Sequence, residues 1–236
     1  MTPDEKEFFL ENGYLIARGV LEGDLLKKIQ DEFEEVWAAE TPGRCNQHKL
    51  LKYRTFIDLI EHHPVIERLQ AIFGNQLQLL QYDFLRQERN DTFPLRAWHK
   101  DFSFTCGRPL TINSIIYLDE MTPDRGQTHV VPGSHRWQNL PTGEEKNRPH
   151  ENEVAVEAAP GDAVFINSAI WHTGSRNQAE GLRRGLYMYY GYWWLKRYEC
   201  DQKLPWQAYE NASDMRLKLL GLRMPDRDIH MYDPSL

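Results

Sequence analysis

The sequence predicts a mainly β fold, a sandwich or barrel of short strands buttressed by helices in the first third of the chain. Three observations predict it. Apolar residues recur at helical spacing as far as Gly74. Beyond Gly74 come short runs rich in β-branched and aromatic residues, separated by Gly, Pro, Asn and Asp at strand-and-turn intervals. A length of 236 residues suits one hydrophobic core. Helices first and many strands afterwards is the order of an α+β arrangement.

The first helix runs from Thr2 to about Asn12. The second, Glu22 to Ala39, carries one stripe made of Leu25, Leu26, Ile29, Phe33, Val36 and Trp37. A third starts around Pro64, a residue favoured in a first helical turn, passes through Val65, Ile66, Leu69 and Ile72, and stops at Gly74. Strands are expected at Leu77 to Arg86, Thr111 to Leu118, Thr128 to Val131, Val154 to Glu157, Ala163 to Ile166 and Arg183 to Tyr192. Turns lie between them at Asp91 to Pro94, Asp124 to Gly126, Pro132 to Gly133, Pro160 to Asp162 and Asn177 to Gly181. Lys203 to Leu222 reads as a closing helix. The expected plan is a single domain over 1–236, with helices in 1–74, a β core at about 75–195 and a C-terminal helical segment at about 203–236.

A net charge of -7 and a pI near 5.7, with scattered Lys and Arg, argue against nucleic acid as a partner. No apolar run approaches the roughly 20 residues of a membrane span, and MTPDEKEFFLENGY lacks the marks of a signal peptide. A soluble, cytoplasmic protein acting on a small molecule is the expectation. Cys45, Cys106 and Cys200 are far apart and form no CxxC pair, so neither a disulfide framework nor a zinc knuckle is indicated.

Chemistry gathers at WHKDF. His99 and Asp101 are one residue apart, so at the end of a strand both side chains point to the same face. A third, neutral imidazole would complete two histidines and one carboxylate, the facial set that leaves three adjacent positions open on iron(II). With nine histidines in the chain, a His-x-Asp can arise by accident, and its company decides. The best third ligand is His172, between two strands, because about four strands separate it from His99, enough to travel round a small barrel and return. Arg183 opens the next strand, where Arg183, Gly185, Tyr187 and Tyr189 share a face. Its fork suits the far carboxylate of a 2-keto dicarboxylic acid chelating the metal. By parity only one of Arg183 and Arg184 can face inward.

These residues resemble the phytanoyl-CoA dioxygenase-like family of iron(II)- and 2-oxoglutarate-dependent oxygenases. WHKD at 98–101, RGQTHVVPGSH at 125–135, APGDAVFINSAIWHTG at 159–174 and the Arg at 183 occur in the family's order, and the match covers roughly Leu77 to Trp193. The resemblance implies a double-stranded β-helix, or jelly roll. It also implies iron ligands at His99, Asp101 and His172, 2-oxoglutarate on Arg183, and O2-dependent hydroxylation of an unactivated C–H with release of succinate and CO2. Related halogenases carry a small residue where this chain has Asp101, so halogenation is disfavoured.

Where family members often carry a Lys before the iron motif, this chain has Arg86 and Gln87. The resemblance turns the face of Gln81 and Asp83 inward, which makes both candidates for substrate contact. Thr105 to Arg108 is a candidate lid. His62, His63, His129 and His135 are read as structural, and PGD at 160–162 as a tight turn. Two other classes stay open: a cupin-like metalloenzyme without oxygen chemistry, and a barrel that binds without reacting.

Overall fold

The computed structural model describes residues 1–41, 44–103 and 105–224. Thr2 opens the first helix, α1 (Pro3–Asn12), with a capping box in which its hydroxyl accepts from the Glu5 amide and the Glu5 carboxylate accepts from the Thr2 amide. Gly13, at φ 81°, ends it and turns the chain into β1 (Tyr14–Ala17). Then α2 (Gly23–Glu40) buries Ile29, Phe33 and Val36. It is followed by α3 (Gln47–Leu50), α4 (Arg54–Leu59) and α5 (His63–Phe73). Neither α3 nor α4 is long enough to show a helical stripe, which is why periodicity misses both.

The strands are β2 (Leu77–Gln87), β3 (Thr111–Tyr117), β4 (His129–Val130), β5 (Val154–Ala155), β6 (Ala163–Asn167), β7 (His172–Thr173) and β8 (Arg183–Tyr192). They form two antiparallel sheets ordered β1-β6-β3-β8-β2 and β5-β4-β7. One core lies between the sheets, where Ile115, Tyr117, Val164 and Ile166 meet Val130 and Val156. The other lies between the helices and the outer face of the larger sheet, where Ile29, Phe33 and Phe56 meet Phe84, Leu186 and Met188. The helices thus cover one face of the barrel and leave its interior to the site.

In β2 the pairing with β8 slips between Leu79 and Gln81. This bulge shifts the alternation by one residue, so that Leu77 and Leu79 before it and Tyr82 and Phe84 after it all pack in the helix-facing core. Gln81, Asp83 and Gln87 are left on the interior side. Strand β2 is also the sheet's edge. Its free amides are covered, since Phe84 N donates to Cys45 O and Tyr82 N to the Gln47 side chain.

The closing helix expected over Lys203–Leu222 is a correction. A single 3-10 turn spans Trp206–Ala208, Asn211 at φ 48° breaks the run, and only α6 (Asp214–Leu219), capped by Ser213, is α-helical. The expectation for 225–236 lies outside the described residues. Arg216 of α6 is 3% exposed and pairs with Asp58 and Glu61, which ties α6 to α4 and the residues just after it. Arg216→Met leaves Glu61, itself mostly covered, without its cationic partner. We expect a loss of about 3 kcal/mol, and a Tm lower by roughly 6–12 °C in thermal denaturation. Among the described residues no helix is long and apolar enough to cross a membrane.

Candidate metal centre

His99 and His172 meet in a single antiparallel bridge, exchanging N–H···O=C bonds of 3.0 Å in both directions. His99 is therefore held by one bridge and not at the end of a strand, because the chain is irregular on both sides of it. Each histidine follows a tryptophan. Trp98 and Trp171 are buried with Val131 in a small cluster, and their indole N–H groups donate to Arg148 O and Asn139 O. Successive residues of extended backbone point to opposite sides, so anchoring both indoles behind the bridge sends both imidazoles forward.

Nδ1 of His99 lies 2.8 Å from Ala97 O, and Nδ1 of His172 lies 3.1 Å from Ile170 O. A carbonyl only accepts, so each Nδ1 carries the proton and each Nε2 presents a lone pair. Both Nε2 atoms face the Asp101 carboxylate, at 3.9 Å and 3.7 Å. The three donor atoms lie within 4.8 Å of one another. Desolvation, and then the neighbouring His172, hold His99 below its ordinary pKa, which favours the neutral, ligating form. Among the described residues this is the one such group of three.

Arg183 is 2% exposed and faces the interior, whereas Arg184 turns outward onto Asp119 and Glu34. Its Nη1 donates to Gln87 Oε1 at 2.7 Å, the residue opposite it in the β2–β8 ladder, and its Nη2 lies 3.4 Å from the Tyr187 hydroxyl. Among the described residues no carboxylate pairs with it. Its Nε and the Gln87 Nε2 are buried donors without a hydrogen-bond partner. A buried guanidinium and idle polar atoms together are costly unless an anion joins them. Gly174 leaves room there, since a Cβ on it would lie 3.6 Å from Arg183 Nη2. Gln87 stands where the family's Lys is lacking. Its role is missed in the sequence because only the register sets it opposite Arg183.

The structure separates Gln81 from Asp83. Gln81 lines a cleft of about 440 Å³ beside Asp101, Tyr189, Lys196 and Tyr198. Asp83 is committed to Arg44, whose Nε and Nη2 donate to its two oxygens at 2.7 and 2.6 Å, and Gln81 Nε2 donates to it as well. Its carboxylate holds Arg44 at the cleft wall, so direct substrate contact by Asp83 is disfavoured. No local signal marks Arg44, which comes from a segment 39 residues earlier. Burial and then Asp101 push the Tyr189 hydroxyl far above its ordinary pKa, so it stays protonated.

Thr105 accepts from Gln138 Nε2, and Thr105–Arg108 is irregular chain. His135 Nε2 meets Leu10 O, His62 Nε2 meets Val20 O, and His129 packs between Arg96 and Glu153. The Asp162 carboxylate of the PGD turn accepts from Gly19 N, Ala159 N and Arg18. Burial holds His129 and His135 below the ordinary 6.5. A lowered folded-state pKa means that the unfolded chain takes up more protons as pH falls through about 6.5. Stability is therefore full above that pH and lost below it. Tm should fall between pH 7.5 and 5.5, and a flat profile would contradict these burials.

A family model described as phytanoyl-CoA dioxygenase (PhyH) matches residues 9–185, a span that holds His99, Asp101, His172 and Arg183. The chain belongs to the phytanoyl-CoA dioxygenase family. It is a dioxygenase of that family, and the family expected from its motifs is the one found. Dioxygenase andF of Emericella variicolor is 26% identical over 90% of this chain and 82% of its own. The iron/alpha-ketoglutarate-dependent dioxygenase ausU of Aspergillus calidoustus is 22% identical over 90% of this chain and 78% of its own. Among solved structures, HygX from Streptomyces hygroscopicus with nickel and 2-oxoglutarate bound superposes at TM-score 0.70, with 19% identity, over 84% of this chain and 90% of that one. The non-heme alpha ketoglutarate dependent epimerase SnoN from nogalamycin biosynthesis superposes at 0.68, with 22% identity, over 80% and 79%. The two-sheet core with its flanking helices is thus the double-stranded β-helix expected from the sequence.

Proposed function

We propose that this dioxygenase binds iron(II) through His99, Asp101 and His172 and 2-oxoglutarate through Arg183. It hydroxylates an unactivated C–H of a small-molecule metabolite, and the chain works as one domain. The observation that carries the reading is Arg183, a buried cation with no carboxylate partner among the described residues, bonded to a Gln87 amide whose Nε2 is also buried without a partner. The donor set fits the metal: two imidazoles with Nδ1 already bonded and one carboxylate. Held by these residues, iron(II) and 2-oxoglutarate would supply the oxidising chemistry: one atom of O2 would enter succinate as CO2 leaves, and the other would enter the substrate C–H.

The chain's own residues set the stage for that chemistry. The Ala97 and Ile170 carbonyls keep His99 and His172 in the ligating tautomer. Arg183 and Gln87 orient the far carboxylate, and a protonated Tyr189 offers a hydroxyl to the cleft beside Asp101. A metalloenzyme without oxygen chemistry has no use for an unpaired buried Arg, which disfavours that alternative. Three unpaired cysteines suit a cytoplasmic setting. Similar folds include an epimerase and a carbocyclase, so product structure is what establishes hydroxylation.

Anaerobic iron(II) plus 2-oxoglutarate should give a weak visible charge-transfer band, with one equivalent of iron retained. A well-folded sample without the band refutes the reading.

A further inference from the structure

The cleft beside Asp101 has a charge balance that narrows the substrate, given the iron and 2-oxoglutarate reading above. Its walls carry Leu80, Phe102, Tyr189 and Tyr198, so much of its lining is apolar or aromatic. Its volume of about 440 Å³ falls in the range of drug-sized ligands. Arg44 is neutralised by the bidentate contact to Asp83 and stacks on Tyr198, 5.1 Å from the ring centre. Asp101 is committed to the metal centre. Lys196 is different. It lines the same cleft, is exposed, and has no ion-pair or hydrogen-bond partner among the described residues.

Its placement is built into the fold. The β2 bulge frees the Leu80 carbonyl from the β8 ladder, and Tyr198 N donates to that oxygen at 3.0 Å. Trp193 N donates to Gln76 O at the start of the same strand. The 193–198 segment is thus stapled along β2 at two points, with Lys196 between them facing the cleft.

We propose that the cleft selects an organic anion of a few hundred daltons. Its apolar body lies against Phe102, Tyr189 and Tyr198 and its carboxylate on Lys196, so that one of its C–H bonds is presented to the metal centre. A single uncompensated cation in a cleft with apolar walls attracts anions and repels ammonium groups.

The test uses three probes of one shape: 2-naphthoate, neutral 2-naphthamide and cationic 2-naphthylmethylamine. Each is titrated by calorimetry into the anaerobic iron(II)–2-oxoglutarate form, with the metal-free protein as a control in which Asp101 has no metal to neutralise it. Expected is at least tenfold tighter binding of 2-naphthoate than of either other probe. That preference should be lost in Lys196→Met and kept in Lys196→Arg. Equal binding of naphthamide, a preference for the amine, absence of naphthoate binding at millimolar concentration, or an unchanged preference in Lys196→Met would each overturn the proposal. The charge-transfer band reports on the iron and 2-oxoglutarate reading separately. Loss of the band with charge selection intact indicts that reading, and a persistent band without selection indicts this one.

Discussion

Replacing Asp101 with Ala should reduce 2-oxoglutarate-dependent succinate release to background while leaving the fold in place. The carboxylate is the one anionic donor between two imidazoles, whose Nε2 atoms lie 3.7 and 3.9 Å from it. Removing it turns a three-donor site into a two-donor site with no negative charge. Removing a mere outer-shell partner costs about 10–100-fold, so losing a direct ligand should cost well over 100-fold. Metal analysis by plasma mass spectrometry should show less than one equivalent of iron in Asp101→Ala, with an unchanged circular dichroism spectrum. A variant that keeps full turnover would sink the ligand assignment.

Arg183→Met should separate cosubstrate binding from folding. The wild-type guanidinium is buried with a neutral amide and a hydroxyl as its partners. Exchanging such a charge for an apolar side chain of similar length is neutral or stabilising to the protein. Tm should therefore stay level or rise. The bidentate, charge-assisted contact to the far carboxylate is lost, at about 3–4 kcal/mol, so the KM for 2-oxoglutarate should rise by roughly 10²–10³-fold. Iron content should be unchanged. If KM for 2-oxoglutarate does not move, Arg183 is not the clamp. A Tm that collapses would mean the cation serves the fold instead. Gln87→Ala should give a smaller rise in the same KM, since it removes one hydrogen bond to Arg183 and one buried amide donor.

The strands were legible where a pattern runs long enough to show itself. Arg183–Tyr192 is read with its observed ends because ten residues of alternation leave no competing period. Strands β4 and β5 fall inside the runs expected at Thr128 to Val131 and Val154 to Glu157, whereas β1 and β7, four and two residues long, were not expected. So short a run carries no alternation to count. The closing helix failed for another reason: apolar residues recur through 203–222, but Asn211 takes a left-handed backbone at φ 48° and Ser213 caps a new start, so the run is broken in its middle.

Within the site, two facts are local and were settled by the amino-acid sequence alone. His99 and Asp101 sit one residue apart, so their side chains can share a side, and parity admits only one of Arg183 and Arg184 to the interior. The parity argument rests on the geometry of extended backbone, which holds in β8 whatever surrounds it, and the one-residue spacing keeps the His99 and Asp101 donors close although the chain bends at Asp101. What tertiary structure decided is everything that depends on distant segments meeting. The bridge that sets His99 against His172, the Arg44 that claims Asp83, the register that puts Gln87 on Arg183 and the bulge that pins Lys196 beside the cleft each join residues with no shared local pattern. Hydrophobic periodicity specifies which face of a segment is buried. It carries no record of which partner buries it, and at this centre the partner supplies the chemistry.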